Sequence, residues 1–279
     1  MERLGYYNGV FGPLEKMTVP MNDRACWFGD GVYDAGPCRN YKIFALDEHV
    51  DRFFRNAGEL RIEMPVGKEE LKDILRRLVR EMDQGSLFVY YQVTRGTGVR
   101  RHAFSDGPSN LWITLNPARI ADGKKPVQLI TEPDIRFLRC DIKTLNLIPA
   151  VMGSQKAAEA GCMEAVLYRP GGRVTEGTHS NIHILKDGAL RTAPADNLIL
   201  PGIARAHLLR ACGALAIPTI EKAFTLEELY AADEVIVTSS SNLCLRADRI
   251  DGRPVGGQDE TDYERLRSYL IEEFLRETE

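Results

Sequence analysis

The sequence predicts an α+β protein of two domains, each built on mixed sheets with flanking helices. Three observations carry this. Short runs of β-branched and aromatic residues alternate with amphipathic helical stretches along the chain. One segment, "PARIADGKKP", has two prolines, a glycine and charges but no periodicity, and it interrupts the pattern. The 279 residues, 44% of them hydrophobic, suffice for one large core or two modest ones. The expected division is therefore a small N-terminal α/β domain over 1–117, a linker over 118–126 and a larger C-terminal domain over 127–279.

In the first part, "KIFALDEHVDRFFRNAGELRI" opens as a strand, after which Asp47 can cap a helix whose apolar side holds Val50, Phe53, Phe54, Ala57 and Leu60. "GKEELKDILRRLVREM" repeats Leu71, Ile74, Leu78 and Met82 at helical spacing. "SLFVYYQVTRG" and "SNLWITLNP" read as strands. Past the linker come short strands at "VQLITE", "EAVLYR", "NIHIL" and "EVIVTSS". Helices are expected at "PAVMGSQKAAEAG" and "GIARAHLLRACGAL", and finally at "DYERLRSYLIEEFLRE", with Tyr263, Leu266, Leu270 and Phe274 in register.

Composition narrows the function classes. A formal net charge of -4 gives no nucleic-acid footprint, and the densest basic patch, "RRLVR" at 76–80, lies on the polar face of a predicted helix. No apolar run approaches the roughly 20 residues of a membrane span, and "MERLGYYNGVFGPLEK" lacks the apolar core of a signal peptide. The six cysteines are scattered without a C-x-x-C pair, so reduced thiols in a cytoplasmic protein are expected, with no metal.

Several stretches could carry chemistry. In "CDIKTLNLIP", Lys143 sits among Ile142, Leu145, Leu147 and Ile148. A buried amine loses hydration, its neutral form becomes accessible, and Schiff-base chemistry with an aldehyde becomes possible. In "RVTEGTHSNIHIL", Glu176 could pair with a pyridinium nitrogen. In "LILPGIARAHLL", the N–H groups of Ile203 and Ala204 open a helix and suit a phosphate. The strand in "EVIVTSSSN" ends in hydroxyls that include Ser240. Arg52 in "DEHVDRFFRN" has a fork suited to phosphate, and Arg100 and His102 in "RGTGVRRHAFS" could clasp a carboxylate. Taken singly, each has an ordinary reading: a snorkelling lysine, a turn, a salt bridge, a solvated loop.

Together, and in this order, the segments resemble the fold-type IV pyridoxal phosphate enzymes, a family that includes branched-chain aminotransferases, D-amino acid aminotransferases and aminodeoxychorismate lyase. The resemblance covers nearly the whole chain. "YYNGVFGPLEKMTVPMNDRACWFGDGVYD" looks like the family's opening, "DIKTLN" its lysine segment, "VTEGTHSN" its glutamate segment, "LPGIAR" its phosphate loop and "VTSSS" its second phosphate contact. The resemblance implies an active site between the two domains and pyridoxal 5'-phosphate as cofactor. Lys143 would bond to the cofactor aldehyde and shuttle the substrate proton. Glu176 would face the pyridine nitrogen, and Arg52, Ile203, Ala204 and Ser240 would bind the phosphate. Tyr33, Arg100 and His102 match the carboxylate trap of the D-amino acid aminotransferases, in which the loop pair reaches in from a neighbouring subunit. A homodimer acting on small amino acid and 2-oxo acid substrates is therefore implied, as is a ping-pong exchange with an acceptor such as 2-oxoglutarate. A branched-chain L-amino acid aminotransferase or an aminodeoxychorismate lyase is the alternative. The sequence departs from the family pattern at Asp34, where glutamate is usual, and at Ala204, where threonine is common. It also departs in "NLCLRADRIDG" and at His179 and His183 beside the glutamate segment.

Overall fold

A computed structural model describes residues 3–120 and 122–279. The first two residues of the expected first domain and residue 121 of the expected linker lie outside them. The chain divides into two units: Met1–Arg119 with Ile142–Asn146 and Leu275–Glu279, and Ile120–Asp141 with Leu147–Phe274.

The first unit holds β1 (Leu4–Tyr7), β2 (Val10–Pro13), α1 (Arg24–Phe28), β3 (Gly31–Arg39), β4 (Lys42–Ile43), α2 (Leu46–Glu59), α3 (Lys68–Met82), β5 (Ser86–Thr94) and β6 (Asn110–Pro117). Its sheet runs β2-β1-β6-β5-β3-β4, antiparallel throughout. The helical spacings set the core. Val50, Phe53 and Ala57 of α2 and Leu71, Leu75, Leu78 and Met82 of α3 are buried with Val89, Tyr91 and Val93 of β5. The basic residues Arg76, Arg77 and Arg80 lie on the exposed face of α3, as their spacing predicts. Asp47 does not cap α2. The helix starts earlier than expected, its N-cap being Ala45 in a left-handed conformation, and Asp47 in the first turn pairs with Lys72 at 2.5 Å.

The second unit holds β7 (Val127–Pro133), α4 (Ile148–Glu159), β8 (Glu164–Arg169), β9 (Arg173–Gly177), β10 (Asn181–Lys186), β11 (Ala189–Thr192), α5 (Ile203–Ala214), β12 (Thr219–Glu221), α6 (Leu226–Tyr230), β13 (Glu234–Thr238), β14 (Leu245–Ile250), β15 (Arg253–Pro254) and most of α7 (Glu260–Glu277). Its strands run β12-β11-β10-β13-β14-β7-β8-β9, with β15 on β14. β12 on β11, and β7 on both β14 and β8, are parallel; the other pairings are antiparallel, so this sheet is mixed. Tyr263, Leu266 and Leu270 of α7 are buried with Leu208 and Cys212 of α5. No helix among the described residues is long and apolar enough to cross a membrane. The six cysteines are free thiols.

The expectation that the C-terminal domain carries Lys143 needs correcting. Residues 142–146 cluster with the first unit because they run antiparallel along the start of β3. The N–H of Tyr33 donates to the carbonyl of Lys143 at 3.0 Å, and the N–H of Leu145 donates to the carbonyl of Gly31 at 3.1 Å. The small polar neighbours of the lysine are engaged there. The Thr144 hydroxyl accepts from the N–H of Asn146 (3.3 Å), and Asn146 Nδ2 donates to the carbonyl of Gly29 (3.0 Å).

Glycine at 31 is a requirement of this close approach. A Cβ there would stand 2.5 Å from the Val93 carbonyl oxygen and 2.7 Å from Leu145 Cδ1. The carbonyl belongs to the neighbouring strand and cannot step aside. Gly31→Ala is therefore expected to destabilise the fold by about 1–3 kcal/mol, the range of core overpacking. A denaturant melt measures this; an unchanged midpoint would mean that β5 and the lysine segment both give way without cost.

Candidate active site

In the first unit, antiparallel pairing puts Lys143 opposite Tyr33. Ile142 and Thr144 are buried on one side of the segment, so Lys143 points to the other. It is half-buried, not desolvated as its apolar neighbours in sequence suggest. Its Nζ lies 4.3 Å from the centre of the Tyr33 ring, which itself stacks on Tyr90 at 5.3 Å. The half-buried lysine thus rests its amine on an aromatic face.

One residue along β3, Asp34 points the opposite way and is fully buried. It accepts from Arg52 Nε and Nη2, both at 2.8 Å, and from His49 Nδ1 at 2.7 Å. Burial pushes the Asp34 carboxyl up, but the charges of Arg52 and His49 outweigh it and hold it well below the carboxylate range. Arg52 is accordingly not on a helix surface. It is a buried guanidinium whose plane is set by a bidentate pair with Asp34, a fixed orientation for a planar fork.

Arg100 and His102 lie on the exposed loop after β5. The Arg100 guanidinium carbon is 5.3 Å from the centre of the Phe28 ring, and the His102 ring centre is 5.2 Å from it. The structure therefore sets both residues against one aromatic side chain.

In the second unit, Glu176 is buried near the end of β9. Its Oε2 accepts from Asn181 Nδ2 and from the N–H of Leu200, both at 3.0 Å, and its Oε1 from Arg136 Nη1. Arg136 is in turn gripped by Asp134 through Nε and Nη2 at 3.0 Å each, and Asp134 also pairs with Arg169 at 3.1 Å. Burial lowers the pKa of the Arg136 guanidinium, but the bond to Asp134 and the charge of Glu176 raise it by more, so it is cationic. A cation on one oxygen favours the ionised form of Glu176, the form that can hold a protonated ring nitrogen.

Asn181 joins the other pieces. It donates to the Leu200 carbonyl (2.9 Å), and it pairs across the ladder with Thr238, where β13 ends. Gly202, the N-cap of α5, fits only because it lacks a side chain: a Cβ would lie 2.1 Å from Asn181 Oδ1. No side chain caps α5, whose first residues are the expected Ile203 and Ala204. Beyond Thr238 the chain turns, with Asn242 and Leu243 N–H groups donating to the Ser239 carbonyl. Ser239 and Ser241 share a hydroxyl bond of 3.0 Å, and Ser240 is half-buried between them. One asparagine thus ties a carboxylate to the segment that leads into α5 and pairs with the strand that ends at the serine turn. These are the groups that a pyridine ring and a phosphate require, and they fit such a cofactor.

Arg136 and Asn181 escape sequence reasoning. "PDIRFLRC" shows only an arginine two residues after an aspartate, and Asn181 reads as the first residue of a strand. His183, by contrast, is visible in the sequence but not interpretable there. Its ring is fully buried, with Nδ1 2.9 Å from the Thr192 hydroxyl and Nε2 2.8 Å from that of Thr238. Burial, and then the positive charge of Arg205, lower its pKa from 6.5 to about 3. The unfolded chain binds this proton below pH 6.5 and the folded one only near 3, so stability falls as pH drops through that window. His183→Asn is expected to flatten the dependence of the unfolding free energy on pH there by up to about 1.4 kcal/mol per pH unit. Melts across the window check this, and an unaltered slope would contradict it.

The family model described as Amino-transferase class IV matches residues 31–250. A D-alanine aminotransferase of Listeria monocytogenes serotype 1/2a (strain 10403S) is 38% identical over 269 residues, which is 94% of this chain and 93% of that protein. One of Bacillus licheniformis is 39% identical over 90% of this chain and 89% of its own length. Among solved structures, a branched-chain amino acid aminotransferase from T.th. with pyridoxamine 5'-phosphate superposes with a TM-score of 0.88. It is 27% identical and covers 98% of this chain and 94% of its own. The branched-chain amino acid aminotransferase of Escherichia coli, at 22% identity, shares the fold with a TM-score of 0.89 over 100% of this chain and 96% of its own. The α+β fold, here with one antiparallel and one mixed sheet, is shared with these structures, and the chain belongs to the amino-transferase class IV family.

Proposed function

We propose that the protein is a pyridoxal 5'-phosphate-dependent aminotransferase that moves the amino group of a D-amino acid to a 2-oxo acid. The observation that carries this reading is the Arg100–His102 pair set against Phe28, together with Tyr33 beneath Lys143. A guanidinium and an imidazole on one rim suit a substrate α-carboxylate. The D-alanine aminotransferases at 38–39% identity support the same reading. The branched-chain structures, at lower identity, favour a second one: an L-amino acid with a branched side chain.

When bound, the cofactor supplies an aldehyde and a ring that withdraws electrons. The remaining work falls to the chain. Lys143 Nζ takes the proton from the α-carbon and returns it. Glu176, kept ionised by Arg136, holds the proton on the ring nitrogen. The N–H groups of Ile203 and Ala204, the Ser240 hydroxyl and the Arg52 guanidinium bind phosphate. Arg100, His102 and Tyr33 fix the carboxylate and so choose the face of the α-carbon that meets the lysine.

The reading includes a cytoplasmic homodimer in which the Arg100 loop serves the partner's lysine. Exposed apolar side chains on α4 support a protein contact: Ile148 is 73% exposed, and Val151 and Met152 are 54% exposed.

Two measurements test this. Adding D-alanine to the cofactor-loaded protein without an acceptor should convert the bound cofactor's absorption to that of its amine form, and L-leucine should not. Conversion by L-leucine alone would move the protein to the branched-chain group. Separately, with D-alanine well below saturation, Lys143→Ala should be inactive and Arg100→Ala nearly so, the second because its half-saturation is raised. Mixed after dissociation, they should recover about a quarter of wild-type turnover, because half the reassociated dimers are mixed and each of these has one intact site. No recovery would mean that the loop serves its own chain.

A further inference from the structure

We propose that Arg24 is a positioning residue that holds Arg100 and His102 as a preformed pair; the proposal rests on their reading as carboxylate ligands. Arg24 is only 2% exposed. Its Nε donates to Asp30 Oδ2 at 2.7 Å. Its Nη1 donates to the carbonyls of Arg101 (2.8 Å) and Ala103 (3.1 Å), and its Nη2 to that of His102 (3.4 Å). One planar guanidinium therefore takes three successive carbonyls of the loop. Its carbon also lies 4.9 Å from the centre of the Phe28 ring, the ring that Arg100 and His102 share.

The anchor is itself fixed. Asp23 caps α1 through the N–H of Ala25 (2.8 Å), and its other oxygen accepts from Thr94 Oγ1 and Asn110 Nδ2, both at 2.8 Å. The helix bearing Arg24 is thereby tied to the end of β5 and the start of β6. Asp30 is shared with Arg95, which donates to the carbonyls of Leu60 and Arg61 and lies 3.6 Å from the centre of the Phe104 ring. The loop is thus gripped on both sides of His102: by carbonyls on Arg24, and by Phe104 on Arg95.

An exposed loop without this grip would have to order itself when substrate binds, and the loss would appear in affinity. Among the described residues Arg24 bonds to Asp30 and the loop carbonyls and not to Lys143, so the limiting rate should be spared. That split distinguishes positioning from general damage.

The experiment uses cofactor-loaded protein and the single-turnover reaction with D-alanine, read from the cofactor spectrum. The variants are Arg24→Lys, Phe104→Ala, Arg100→Ala and the double variant Arg24→Lys/Arg100→Ala. Lysine keeps the charge for Asp30 but loses the planar fork. Phe104 is 44% exposed, so its truncation loosens the loop without opening the core and decides the matter if the Arg24 variant fails to fold. Arg24→Lys and Phe104→Ala should each weaken half-saturation by about 10- to 100-fold, with the limiting rate near wild type. The double variant should lose less than the two single losses combined, because part of the clasp's effect runs through Arg100. Unchanged half-saturation in Phe104→Ala and Arg24→Lys, with a loss in Arg100→Ala, would overturn the clasp alone. So would losses confined to the limiting rate, or additive losses in the double variant. Unchanged half-saturation in Arg100→Ala would instead overturn the carboxylate reading, and the clasp with it.

Discussion

The candidate site depends on two backbone hydrogen bonds. Residues 142–146 run beside the start of β3, with Tyr33 donating to Lys143 and Gly31 accepting from Leu145. A piece of chain from beyond the second unit's first strand thereby belongs to the first unit. Strand geometry does the rest. Alternation buries Ile142 and Thr144 and turns Lys143 the other way, onto Tyr33. The same alternation along β3 sends Tyr33 toward the lysine and Asp34 toward Arg52. A shift of one residue in this register would exchange their roles, which is why Gly31, where no Cβ fits, is a constraint on chemistry as well as on folding.

Buried or half-buried arginines recur around the candidate residues, and each is oriented by an aspartate: Arg52 by Asp34, Arg24 and Arg95 by Asp30, Arg136 and Arg169 by Asp134. Burying such pairs costs desolvation that their attraction only partly offsets, so stability is a poor account of them. Orientation is a better one. A guanidinium fixed on one edge presents the rest of its plane in a set direction: toward loop carbonyls for Arg24, toward Glu176 for Arg136. The departure at Asp34 belongs here. A side chain one methylene shorter than glutamate still reaches both Arg52 and His49, at 2.7–2.8 Å, because it starts from a strand whose partner helix lies close.

What can be read from the sequence follows the range of the interaction. Helical and strand periodicities are local, and they locate α2, α3, β5, β6, β8 and α7 because each buries the stripe that its own spacing defines. The family segments single out the candidate residues because they are contiguous motifs. The cap of α2 misleads, since Asp47 suits an N-cap chemically but tertiary pairing with Lys72 claims it. Lys143 reads as desolvated because its neighbours in sequence are apolar. Leu147 and Ile148 are in fact 39% and 73% exposed, so apolar neighbours do not mean an apolar surround. Arg136, Asn181 and Arg24 are invisible, since each acts on groups far along the chain or on bare carbonyls, and no local pattern records that.

The division of labour within the site has a physical logic. In the second unit, groups that would hold the cofactor lie at strand ends and at a helix start. Glu176 lies near the end of β9, Asn181 opens β10, Ile203 opens α5 and Thr238 ends β13; Asn181 bonds to Glu176 and to the Leu200 carbonyl ahead of α5 and pairs with Thr238. Such positions are set by the sheet and tolerate little change. The residues proposed to meet the substrate stand instead on a loop after β5, held by side chains rather than by a ladder. Changing the loop changes what is bound without disturbing what reacts. A loop so used must still be precise to fractions of an ångström, or binding energy goes into ordering it. A guanidinium that takes three consecutive carbonyls meets both demands: it grips backbone and is blind to the side chains between, so the loop can vary in sequence while keeping its shape.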